Sequence, residues 1–293
     1  MYGFIFYSVR EKNKAINLIQ NYFLFFFALL VLSVPVLYRF IRLGRLALFI
    51  RDADLIDDLS YEKAEKFRVI QVLLGVGFFI FHGSLYFGFE NIVKFICVAF
   101  FVSIFAEIIG SKTGMIFGGV YKYDIDKSPG YVIMGIPILI PLAWFGLIYM
   151  SLNFAYYLHN TIFLEGVKNS HFVLILLPSF MLMLLDTVLD PLAVNEKRWS
   201  WIVSGRYFGV PFLNFVGWLN ISILILLIFF SIYVPINGNI SNYSFLFNYS
   251  PGILFILLHL IAARPCFERG LFLPGAIGIM LFLIYSILFF LKY

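Results

Sequence analysis

The stretch His171–Pro191 reads HFVLILLPSFMLMLLDTVLDP. As far as Leu185 it is a plain membrane helix, since about twenty mainly apolar residues at 1.5 Å rise cross a hydrocarbon core. Asp186 and Asp190 then appear near its end. A carboxylate at membrane depth costs roughly 2.5–3.5 kcal/mol on insertion scales unless a partner or a function retains it. The run 92–110 repeats the pattern, with Glu107 close to its end. Both acids precede loops rich in Gly, Tyr and Trp, and they are the strongest pointer to function in the chain.

The rest of the sequence agrees with a bilayer as solvent. Of 293 residues, 62% are hydrophobic and 13% charged, about half the charge of a soluble domain. The 37 phenylalanines suit a lipid-facing surface. The net charge of +5 does not indicate nucleic acid, because the basic residues sit in short loops between apolar runs, where they set topology. Cys97 and Cys266 lie far apart and in no metal-ligand spacing. The first apolar run follows a polar start and lacks a small-residue cleavage site, so no signal peptide is expected.

Eight spans are legible, at 20–38, 69–89, 92–110, 131–157, 171–190, 211–235, 243–263 and 271–291, the seventh interrupted by Asn248 and Pro251. The expected fold is an all-α polytopic transmembrane bundle, a single integral-membrane domain over residues 1–293. The first, third, fifth and seventh loops carry fifteen of the 21 basic residues, among them Arg39, Arg42, Arg45, Arg51, Lys122, Lys127, Arg198, Arg206 and Arg264. The positive-inside rule then puts these loops in the cytoplasm and both termini on the non-cytoplasmic side of a cell membrane. Glu107 and Asp186 fall at similar depth, about one turn inside the cytoplasmic surface.

Three constellations could carry chemistry. Glu107-Ile-Ile-Gly110-Ser-Lys-Thr-Gly114 leads through Phe117-Gly118-Gly119 to Tyr121-Lys-Tyr123. Its glycines imply a tightly folded, re-entrant loop, tolerated at depth only where protein or a wet cavity satisfies the backbone. Gly-Ser-Lys-Thr-Gly lacks the spacer and the preceding strand of a phosphate loop. A plain alternative for Glu107 is an interfacial pair with Lys112. In the second constellation, Asp186 and Asp190 share a helix face, and Pro191 ends or bends the helix and frees carbonyls. Two carboxylates in hydrocarbon compete for protons, and a carboxyl that keeps its proton is what a general acid needs. The plain alternative makes Asp190 merely interfacial. The third contains Trp199-Ser-Trp201, read chiefly as an aromatic anchoring belt, then Tyr207-Phe-Gly-Val-Pro211, Asn214 and Trp218. Gly135, Pro137 and Pro141 would kink the start of span four ahead of Trp144 and open a cleft at the same depth. His82, His159, His171 and His259 stand in no ligand spacing, so no metal site is expected.

The order Glu107-x-x-Gly110-x-Lys-Thr-Gly114-x-x-Phe-Gly118, Tyr121-x-Tyr123, Gly135-x-Pro137-x-x-Ile-Pro141-Leu-Ala-Trp144, Asp186-x-x-x-Asp190-Pro191 and Tyr207-Phe-Gly-Val-Pro211-x-x-Asn214-x-x-Gly217-Trp218 resembles the integral-membrane carotenoid biosynthesis family. The resemblance covers about residues 100–220; elsewhere it extends only to hydrophobicity. It implies a hydro-lyase, an acyclic carotenoid hydratase of the bisanhydrobacterioruberin hydratase type, acting on C40 or C50 chains. Hydration of a terminal isopropylidene group needs a strong acid, a held water, and aromatic faces for a tertiary cation. Asp186 would carry the proton and Asp190 help keep it there, with Glu107 and Asn214 positioning water; the reverse assignment of Asp186 and Glu107 stays open. Tyr121, Tyr123, Trp144, Tyr207 and Trp218 would bind substrate. No cofactor is required. The expected partners are a lipid-dissolved acyclic carotenoid, membrane lipids and other carotenoid biosynthesis enzymes. A membrane prenyltransferase holding magnesium diphosphate on Asp186-x-x-x-Asp190 is the alternative. A transporter is disfavoured because spans three and five show no polar residue deep in their outer halves.

Overall fold

The computed structural model describes residues 2–33, 58–128, 130–161, 171–234 and 243–291. The basic residues Arg39, Arg42, Arg45 and Arg51, and the expected end of span one, lie outside the described residues. Eight long helices are described: α1 (Tyr2–Leu32), α2 (Asp58–Tyr86), α3 (Phe89–Thr113), α4 (Leu139–Thr161), α5 (His171–Asn195), α6 (Phe212–Ile232), α7 (Phe245–Glu268) and α8 (Phe272–Phe290). Each contains a segment long and apolar enough to cross a membrane. Four short strands accompany them: β1 (Tyr121–Tyr123), β2 (Val132–Ile133), β3 (Ile136–Pro137) and β4 (Trp199–Trp201).

The most buried helix, α4, packs against α2, α3, α5, α7 and α8, while α3 and α5 also pack on α6. Helices α3 to α6 thus form a ring whose interior holds the acidic residues. Helix α1 touches α2 and α7 from outside.

One expectation about helix ends is corrected and one is narrowed. Span four does not begin at residue 131, because residues 132–137 form the hairpin β2–β3, pairing Val132 with Pro137 and Ile133 with Ile136. Its two-residue turn puts Met134 at φ 52° and Gly135 at φ 91°, the left-handed pair that matches strand twist. Pro141 then falls in the first turn of α4, where its missing N–H costs nothing. Of the two outcomes allowed for Pro191, ending the helix does not occur, since α5 continues to Asn195, while the expected freeing of a carbonyl does. Proline breaks one backbone bond rather than the helix when another group takes up the freed carbonyl four residues back.

Helix α7 uses the same device at the opposite end of the bundle. Pro251 frees the Phe247 carbonyl, and His82 Nε2 lies 2.9 Å from it. A carbonyl only accepts, so His82 carries its proton on Nε2, and Nδ1 accepts from Tyr149 Oη at 2.6 Å. One turn on, the Asn153 amide enters the helix. Its Nδ2 donates to the Asn248 carbonyl at 3.0 Å and its Oδ1 accepts from the Gly252 N–H at 3.0 Å. The outer half of α5 is less apolar than expected through Ser179, and α3 carries Asn91 at its outer end and Ser103 one turn before Glu107. Asn91 caps Val234, and the Ser103 and Ser179 hydroxyls return to carbonyls of their own helices. These bonds satisfy each polar group locally instead of linking them into a path.

The loop after α3 is held by Phe117, which is clasped between two glycines. A Cβ at Gly110 would meet the Phe117 ring at 2.5 Å; one at Gly217 would meet the Ile116 carbonyl at 2.6 Å and the ring at 2.7 Å. Gly217→Val is therefore expected to lower stability by about 1–3 kcal/mol through overpacking, measurable as a fall in the unfolding midpoint in detergent. An unchanged midpoint would mean that the loop does not depend on this clasp.

Candidate active site

Strands β1 and β4 join the two special loops across one end of the ring. They pair antiparallel, with Tyr121 opposite Trp201 and Tyr123 opposite Trp199. Side chains alternate along a strand, so Tyr121 and Tyr123 point together into the bundle while Lys122 faces out. The pair is fastened by Trp201 Nε1, which donates to the Phe117 carbonyl at 3.1 Å. Trp199 and Trp201 are therefore strand residues packed on Tyr123 and Tyr121, not the membrane anchors expected. Glu196 ties this end to the α7–α8 connection, with Arg198 at 2.8 Å and Arg269 at 3.1 Å.

Glu107 is 4% exposed and meets neither Lys112 nor solvent. Its Oε2 accepts from Tyr121 Oη at 2.5 Å and Tyr123 Oη at 2.8 Å, and its Oε1 from Trp144 Nε1 at 3.0 Å. Burial and the adjacent Glu107 push both phenols far above their usual range, so they keep their protons and donate. A carboxylate offers about four lone-pair sites, and three are taken.

Asp186, Asp190 and Asn214 form the opposite wall. The single amide nitrogen of Asn214 donates to Asp186 Oδ2 at 2.8 Å and to Asp190 Oδ2 at 2.6 Å. Asp190 is 3% exposed, which removes the interfacial alternative. Asp186 Oδ1 is buried without a hydrogen-bond partner. One turn beyond Asn214, Trp218 stacks on Trp144, with ring centroids 3.8 Å apart and planes at 14°.

The structure brings Glu107, Asp186, Asp190, Asn214, Tyr121, Tyr123, Trp144 and Trp218 to one cavity of about 200 Å3. Tyr207 does not line it. Its hydroxyl donates at 3.1 Å to the Thr187 carbonyl, the group that Pro191 frees. Burial pushes this phenol up to about 12, consistent with a permanent donor. Tyr207→Phe should cost about 1–3 kcal/mol of stability, the penalty of an orphaned buried carbonyl, while activity per folded molecule is retained. Unfolding and pigment assays on one sample check both halves of that expectation. Arg68, Lys127, Arg198, Trp199 and Trp201 also line the cavity. In the sequence these three cations carry only a topological signal, and the Tyr-x-Tyr and Trp-x-Trp alternation is the available signal for the strands.

A buried acid cluster thus lies under a strand cap, inside a ring of helices long and apolar enough to cross a membrane. The chain belongs to the carotenoid biosynthesis protein family, which it matches over residues 67–285. That match reaches α2, α7 and α8, beyond the motif core at 100–220. The chain is also similar to the bisanhydrobacterioruberin hydratase of Haloarcula japonica, at 32% identity over 114 residues. The aligned segment is 39% of this chain and 36% of that protein. No solved structure matches the chain.

Proposed function

We propose that the protein is an acyclic carotenoid hydratase of the cell membrane, adding water across a terminal isopropylidene double bond. The observation that carries this reading is the Asp186–Asn214–Asp190 bridge facing Glu107 across a cavity walled by stacked indoles. The proton leaves Asp186, whose Oδ1 points to no other partner, and bonds to the less substituted alkene carbon. The electron pair of the double bond forms the new C–H bond and leaves a tertiary cation beside the Trp144 and Trp218 faces, which attract positive charge. Water held at the open site of Glu107 supplies the C–O bond. The excess proton of the new hydroxyl returns to the aspartate pair, which is thereby reset.

A prenyltransferase would need the aspartate oxygens for magnesium. The Asn214 N–H groups already point at Oδ2 of both, and a donor there opposes a cation. The test is expression in a lycopene-producing host, with mass spectrometry of the pigments. Products heavier by one or two waters, formed without dependence on magnesium, are the expected result. Unchanged pigment beside folded protein would end the hydratase reading.

A further inference from the structure

The cavity has a further wall that the chemistry does not use. Ile140, Ala143 and Leu147 line it on the same face of α4 as Trp144, and Val72 and Arg68 line it from α2. The four apolar residues are only half-buried, and Leu73 and Ile70 beside Val72 are exposed on the helix surface. The wall formed by Val72, Ile140, Ala143 and Leu147 is thus apolar, with Arg68 one turn from Val72, and it belongs to the same cavity as the acid cluster and lies between two helices that face lipid. Volume sets what can sit inside. An apolar cavity of about 150 Å3 takes one benzene ring. About 200 Å3 therefore takes an isopropylidene end and a few further carbons, far less than a forty-carbon chain.

Resting on the hydratase reading, we propose that the protein binds one end of the polyene at a time. Val72, Ala143 and Leu147 form the sill over which the remaining chain leaves into the bilayer between α2 and α4. The enzyme then reads the end group and not the chain length, and a substrate with two ends is released after the first hydration and rebinds reversed.

The experiment compares purified protein acting on lycopene and on a ten-carbon acyclic alkene with the same isopropylidene end. Ala143→Phe and Val72→Trp narrow the sill from its two sides. The expected result is at least a tenfold fall in the ratio of long-chain to short-chain rates for both variants. The first lycopene product should be singly hydrated. Because the ratio is read on whatever protein folds, a lower yield does not mimic it. A smaller change in ratio, or doubly hydrated lycopene from the earliest time point, overturns the sill while leaving the hydratase intact. Wild type that takes only one of the two compounds also overturns it. Wild type that hydrates neither overturns the hydratase reading itself, and the sill with it.

Discussion

Under the proposed hydratase reading, Asp186→Asn is expected to lower hydration by roughly 10²–10⁴-fold, the usual worth of a positioned general acid. The substitution keeps the shape of the side chain, and its amide oxygen can still accept from Asn214 Nδ2 at the place of Oδ2. It exchanges a proton-carrying, neutral carboxyl for a neutral amide and leaves the charge on Asp190 unchanged. The variant should be about as stable as the parent while losing its chemistry. Hydrated pigment per mole of folded protein is the measure. Retention of more than a tenth of the parent rate would falsify the assignment of the proton to Asp186.

Glu107→Gln should lower the rate by about 10²-fold, the scale of removing one electrostatic contact to developing charge. The three donors around Glu107 differ in what they can adapt to. Trp144 Nε1 only donates, so the carbonyl of the introduced amide must face it. The amide nitrogen then faces Tyr121 and Tyr123, whose hydroxyls can turn and accept. The fold survives this exchange. What disappears is the negative charge beside the site where water is held. A double replacement with Asp186→Asn should add little further loss, since both residues serve the same step. If Glu107→Gln alone proves neutral, water is held elsewhere, and Asp190 becomes the residue to replace.

Hydrophobic run length disclosed the helices, and depth disclosed the acids, because the cost of a bare carboxylate in hydrocarbon is large enough to read without a structure. The partners were harder to read. Glu107 and Asp186 gave no sign of how each would be satisfied, since Tyr121 reaches Glu107 through a strand only three residues long. Short strands carry a weak periodic signal, and in this chain the aromatic residues at a membrane surface masked it. Tyr207 shows the opposite error. Its place among the aromatic motifs suggested substrate contact, but the distant effect of Pro191 on the Thr187 carbonyl decided its role. The turn at Met134–Gly135 was hidden for a similar reason, because an apolar hairpin next to a span looks like more of the span.

The interruption of α7 bears on how the protein is made. Alone in lipid, the Phe247 carbonyl would keep only the Ser250 hydroxyl at 3.0 Å, and the Asn248 carbonyl would have to close directly on the Gly252 N–H one turn on, without the amide that separates them here. The groups that satisfy them, His82 and Asn153, belong to α2 and α4, which are translated earlier. The local geometry of α7 around Pro251 therefore depends on its neighbours. It reaches its final form only against a partner surface already assembled in the bilayer, so the order of synthesis and the order of assembly coincide, and damage to α2 or α4 reaches the distal end of the chain during biogenesis.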